Sequence, residues 1–165
     1  MKTTIAFFLL TCLPMLLLGH DERQVEGAWL RDGVEWTKAP EGMNPHLKLG
    51  DAQILYFGKD HTFLIIYCVI YRAPKQGEVI SHGDPRDVYL GKWEVRGDDI
   101  IVKYRLVGRT VRIKGEELPG PVQHSSIKVS RDILYLEKNS FRRAEGLDKD
   151  AAEVMAGLQN TSMTR

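Results

Sequence analysis

Residues 88–107, VYLGKWEVRGDDIIVKYRLV, set the tightest limit on what this chain can become. Two runs of alternating apolar and polar side chains meet at Gly97-Asp98. Gly supplies the backbone angles that a tight hairpin turn needs. In 89–95, Tyr89, Trp93 and Val95 share a face with Gly91, opposite Lys92 and Glu94. In 100–106, Ile100, Val102, Tyr104 and Leu106 share a face opposite Lys103 and Arg105. Side chains along a strand alternate between two sides, so both runs read as half-buried strands with one wet face. A closed sheet with an inside is what such a pair requires.

The rest of the chain repeats the pattern. EGAWLR (26–31), QILYFG (53–58) and HTFLIIYCVIYR (61–72) read as strands, the last two joined through Gly58-Lys59-Asp60 at hairpin spacing. Beyond the 88–107 hairpin come RTVRIK, SSIKVS, ILYLEKN and FRRAE. About eight or nine short strands, many rich in Val, Ile and Tyr, predict an all-β sandwich or barrel.

One strand breaks the alternation. In 63–71, Phe63, Ile65, Tyr67, Val69 and Tyr71 take one face, while Leu64, Ile66, Cys68 and Ile70 take the other. Its outer side therefore needs a cover. Leu147, Ala151, Val154, Met155 and Leu158 fall on one helical stripe, with Asp148 and Asp150 near its start, where acidic groups suit the helix dipole. We expect a short helix over 148–158 lying on the sheet, with a homodimer seam as the alternative cover. Three longer connections remain, at 32–52, 73–87 and 115–126. Connections of that length are often lids or binding loops.

The chain has 165 residues, which suits one domain. Its start, IAFFLLTCLPMLLL (5–18) behind Lys2 and before GHDERQ, has the charged start, short apolar core and polar switch of a secretory signal peptide. The block falls short of the ~20 residues that span a bilayer. The expected location is therefore secreted or periplasmic, with no integral membrane span after cleavage; retention as an anchor is the alternative. With the leader goes Lys2, so 23 basic side chains become 22 against 22 acidic ones. That balance gives no electrostatic reason to seek nucleic acid. Cys68 alone remains, in an apolar run that suits a buried, inert thiol.

No residue pattern announces catalysis. The chain holds no Gly-x-Ser-x-Gly, phosphate loop, Cys-x-x-Cys or His-Glu-x-x-His. His82, Asp84 and Asp87 lie close together in SHGDPRD, but no second histidine stands at a familiar metal-ligand spacing, and His46, His61 and His124 are scattered. A solvated turn accounts for that stretch, so no metal and no cofactor is expected. Arg96-Gly97-Asp98 spells an adhesion tripeptide that the hairpin turn already explains. Lys103, Arg105, Arg109, Arg112 and Lys114 read as the wet face of a barrel.

Gly27-Ala28-Trp29 on the first strand resembles the Gly-x-Trp signature of lipocalins and other calycin barrels. Tyr89-Leu90-Gly91-Lys92-Trp93-Glu94-Val95, then Gly97-Asp98 and a long alternating strand, resembles the lipocalin-like domain proteins, mostly bacterial. Arg131-Asp132-Ile133-Leu134-Tyr135-Leu136 is similar to their closing segment. The resemblance covers residues 25 to 145 in order of elements. It implies a single antiparallel lipocalin-like β-barrel of about eight strands with a short C-terminal helix. The leader then takes 1–19, the barrel 20–146, and the helix and tail 147–165. It also implies a basic residue packed over the Trp29 indole at the closed end, with Arg142 and Arg143 both candidates.

If the aromatic faces point inward, Phe63, Tyr67, Tyr71, Trp93 and Tyr104 converge on one interior and are the expected ligand contacts. An eight-strand barrel can be filled by side chains or hold one small ligand. The loop with Trp36 and Met43 is the expected lid. The leading expectation is capture of a small apolar molecule by hydrophobic burial, with tyrosine hydroxyls orienting it. Its rivals are a structural or interaction module with a filled core, and a small-barrel enzyme on a lipid-like substrate using Tyr67, Tyr104 or His61. No catalytic residue is assigned.

Overall fold

Ten strands join in one antiparallel sheet in the computed structural model, which describes residues 22–72, 79–83, 85–110 and 117–162. They are β1 (Gly27–Arg31), β2 (Thr37–Lys38), β3 (Lys48–Phe57), β4 (Thr62–Arg72), β5 (Val79–His82), β6 (Asp87–Arg96), β7 (Asp99–Arg109), β8 (Gln123–Ser130), β9 (Ile133–Leu136) and β10 (Asn139–Arg143). All but β2 and β5 close a barrel of eight: each pairs with the next in the chain, and β10 returns to β1. β2 and β5 extend the sheet beside β3 and β4. A one-turn helix α1 (Glu22–Val25) precedes the barrel, and α2 (Asp148–Ser162) follows it.

An up-and-down order sorts the connections by end. The tight turns at 58–61, 97–98 and 131–132 gather at one end, and the long β1–β3, β4–β6 and β7–β8 connections at the other. Gly97 turns with φ 63°, as a two-residue hairpin demands. The tight end is closed: Val25 of α1 is fully buried, and its carbonyl accepts the Trp29 indole N–H at 2.8 Å.

Period two separates two cores. Trp29, Leu55, Phe57, Phe63, Ile65, Trp93, Ile100, Val102, Ile127, Leu134 and Phe141 pack inside the barrel. Ala28, Ile54, Leu64, Ile66, Cys68 and Ile70 form a second cluster outside it, with Leu147 and Ala151. The expected cover for the doubly apolar strand is thus α2, running to Ser162, with Ala151 of the helix and Leu147 of the turn just before it both at 0 % exposure. At roughly 1.5–3 kcal/mol for each large side chain fully buried, both layers matter to stability.

Several boundaries differ from expectation. β3 starts at Lys48, inside the expected 32–52 loop, because Leu49 and Asp51 stay in phase with Gln53 and pair with Tyr71 and Val69. β8 starts at Gln123, inside the expected 115–126 loop, where Gln123 pairs with Tyr104. Of the expected strand RTVRIK (109–114), Arg109 ends β7, and the remainder from 111 lies outside the described residues. The expected leader also lies outside them. Among the described residues, no helix is long and apolar enough to cross a membrane.

Candidate functional site

The inner faces of β3 and β4 grade from apolar to charged along their length. Phe57 pairs with Phe63 near the closed end, then Leu55 with Ile65, Gln53 with Tyr67, and Asp51 with Val69. β6 and β7 repeat the gradient from Val95–Ile100 and Trp93–Val102 up to Tyr89–Leu106 and Asp87–Arg109. Six rings connect the two ends. Trp93 meets Phe57 edge-on at 5.6 Å, Phe57 meets Phe63 at 5.0 Å, and Phe63 meets Tyr104 at 5.8 Å. Tyr104 to Tyr89 and Tyr89 to Tyr67 are each 6.0 Å and steeply tilted. Such edge-to-face contacts stabilise each pair by about 1 kcal/mol beyond burial.

The expected contact residues therefore divide. Phe63 and Trp93 belong to the packed floor, at 0 % and 3 % exposure, and the Trp93 indole N–H donates to the Gly58 carbonyl at 3.0 Å. Tyr67 and Tyr104 stand higher, toward the open end. Tyr104 shares a hydrogen bond of 3.1 Å with Ser125, and Tyr67 is 36 % exposed. Burial, then the neighbouring Tyr89 and Tyr104, raises the Tyr67 hydroxyl above its ordinary value, so near neutral pH it is a donor rather than a base. Tyr71 is half-buried at the rim, close to Gly83.

The lid expectation is corrected in part. Trp36 packs with the outer cluster, against Gly50 and beneath the Arg72 guanidinium at 5.4 Å, because an indole finds more apolar surface there than over a polar mouth. Met43 is exposed at 41 %. It is Gly33, Glu35 and Thr37 of the same connection that border the mouth, in a depression of about 450 Å³ with Arg31, Asp51, Val69 and Arg86. A second depression, of about 570 Å³, lies beside Tyr89, Leu106, Arg109 and Gln123.

His61 is placed at the closed end, its ring 5.0 Å from Trp93 and its Nδ1 3.3 Å from the Trp93 carbonyl. It does not reach the tyrosines. Asp87 faces inward and holds Arg109 through two hydrogen bonds of 2.8 and 3.1 Å. Asp84 and the side chain of His82 lie outside the described residues. Among the described residues, no group of three or more His, Cys, Asp or Glu side chains is arranged to hold a metal ion.

Two mouth residues, Arg31 and Gln53, escaped the sequence reading, and Tyr89, read there on the face of Trp93 and Val95, was not among the expected ligand contacts. Their signal was phase. Gln53 is the polar member of the series Gln53, Leu55, Phe57, and Arg31 continues the series Gly27, Trp29.

Arg143, of the two candidates, packs over Trp29, with its Cζ 5.8 Å from the ring centroid. Gly27, at φ 104°, makes room for it: a Cβ there would collide with the guanidinium. No protein-family model, curated protein or solved structure matches this chain, so the functional reading rests on the barrel itself.

Proposed function

We propose that this chain is an exported, lipocalin-like binding barrel that takes a small molecule at its open end. The observation that carries the reading is the Tyr67–Tyr89–Tyr104 cluster, three edge-to-face rings standing between a packed apolar floor and two open depressions. Binding sites of this kind combine apolar walls with a few placed polar groups. Because the floor is filled by Phe63 and Trp93, the guest sits on the tyrosines rather than deep inside. Arg143 over Trp29 at the closed end supports the lipocalin-like relationship, and the apolar segment 5–18 supports export.

Titration of tyrosine and tryptophan fluorescence with a panel of aromatic, haem-like and lipid molecules tests this reading. Saturable quenching that Tyr67→Ala and Tyr89→Ala weaken together is the expected result. A folded protein that binds no member of the panel returns the barrel to its rival, an interaction module with a filled core.

A further inference from the structure

The inward-facing side chains just above the apolar floor form one cross-strand row. Tyr67 pairs with Gln53 on one side and with Asp87 on the other. Asp87 in turn pairs with Arg109. On the far side, β1 and β3 are in register through Leu30–Ile54, so the next step brings Arg31 opposite Gln53. The row thus reads Arg31, Gln53, Tyr67, Asp87, Arg109 around the wall. It holds two guanidinium groups and one carboxylate.

That carboxylate is engaged. Asp87 binds Arg109 in a two-pronged pair whose side chains are 27 % and 19 % exposed. Arg31 makes no ion pair or hydrogen bond through its side chain among the described residues. Beside it, Gln53 is only 5 % exposed, and its side-chain amide has no hydrogen-bond partner among the described residues. A buried amide left unsatisfied is costly, and native structures rarely retain one without a use. Arg31 lies close enough to Tyr67 to favour its ionised form. The same wall therefore presents a cation, an amide and a phenol donor at adjacent positions.

The geometry points to a carboxylate-binding subsite: Arg31, Gln53 and the Tyr67 hydroxyl receive the carboxylate of a small monoanion whose flat apolar body rests on Tyr89 and Tyr104. Guanidinium groups suit carboxylates because their N–H donors match the two oxygens. The amide N–H of Gln53 and the phenol O–H add neutral donors. At the rim, Glu35 and Glu137 are exposed carboxylates that disfavour a second negative charge on the guest. Arg86 is taken by Asp51 at 3.0 Å. This inference rests on the proposed binding role of the open end and names the guest's chemistry.

Three matched pairs test it by calorimetry on the full barrel: 2-naphthylacetate, cinnamate and indole-3-acetate, each against its uncharged primary amide. The acid of at least one pair should bind at least about tenfold more tightly than its amide, a preference that Arg31→Met removes. Gln53→Leu should weaken the acid about tenfold while raising the melting temperature by about 3 °C, since it deletes an unsatisfied buried amide. A purely structural Gln53 would lower both. If acid and amide bind alike, the carboxylate subsite is wrong and the binding role of the mouth survives. If no member of any pair binds, both fall.

Discussion

The guanidinium of Arg143 lies 5.8 Å from the centroid of the Trp29 ring, tying the last strand of the barrel to the first. It also donates to the Glu26 carbonyl and, at 3.1 Å, to the carboxylate of Asp148 at the start of α2. One side chain thus joins barrel closure, the N-terminal turn and the covering helix. Arg143→Met keeps most of the stem but removes the charge and its donors. The expected loss is about 2 kcal/mol, read as a fall of roughly 4–8 °C in melting temperature. Arg142, whose side chain is 68 % exposed and pairs with Asp32 at the surface, is the control. Arg142→Met should change stability by less than about 1 kcal/mol. Equal effects of the two substitutions would refute the clamp.

The second prediction concerns the C-terminal cover, α2 and the turn that leads into it. Leu147 is fully buried against the outer face of the barrel. Leu147→Ala should cost about 3 kcal/mol through lost burial and the cavity left behind. Truncation after Ala144 uncovers Ile54, Leu64, Ile66 and Ile70 together. The truncated chain should bind a hydrophobic dye and self-associate in sedimentation. A monomeric, dye-silent truncation would mean that α2 is dispensable.

Cys68 supplies a third. Burial pushes its thiol up to about 12, so almost no thiolate exists at pH 8 in the native barrel. Iodoacetamide at pH 8 should leave Cys68 unmodified in buffer and alkylate it in concentrated urea, as mass spectrometry would show. Because the folded value is raised, any thiolate-linked loss of stability begins only as pH rises past the ordinary thiol range. Rapid native labelling would contradict the packing around β4.

The β3–β4 turn makes a fourth. Asp60 accepts the Thr62 hydroxyl at 2.6 Å and the Thr62 backbone N–H at 3.0 Å. The Thr62 hydroxyl, first among its causes, holds the Asp60 carboxyl below its ordinary value of 3.8. A lowered carboxyl contributes stability that is complete above 3.8 and is lost as pH falls from there through the lowered value. Asp60→Ala should cost about 1 kcal/mol at neutral pH. In urea titrations the gap to the parent protein should hold from pH 7 to 5 and narrow in stronger acid. A gap that widens on acidification would reverse the assignment.

Most of the strands were legible because a half-buried sheet imposes period two on the sequence. Tyr89, Trp93 and Val95 keep that phase in β6, as do Ile100, Val102 and Tyr104 in β7. The double run in β4 forecast a covering element, and the stripe from Leu147 to Leu158 forecast which one. Strand ends were less legible. Lys48–Gly50 and Gln123–His124 carry little apolar signal, and their pairing depends on Tyr71 and Tyr104 of distant segments. Trp36 shows the same limit: its apolarity predicted burial, but not which side of the sheet would bury it.

By itself, the order of apolar and polar side chains determined that this chain makes an antiparallel all-β domain with an inside, and a tail helix to cover one strand. A local alternation suffices for that, since it assigns each side chain to one of two faces. Closure of β10 onto β1, the sorting of long connections to one end, and the choice of Arg143 over Arg142 were decided in three dimensions. So was the meeting of Arg31, Gln53 and Tyr67 in one row. Those depend on the register between strands far apart in the chain, and register is a property of hydrogen-bonded neighbours that no single strand contains.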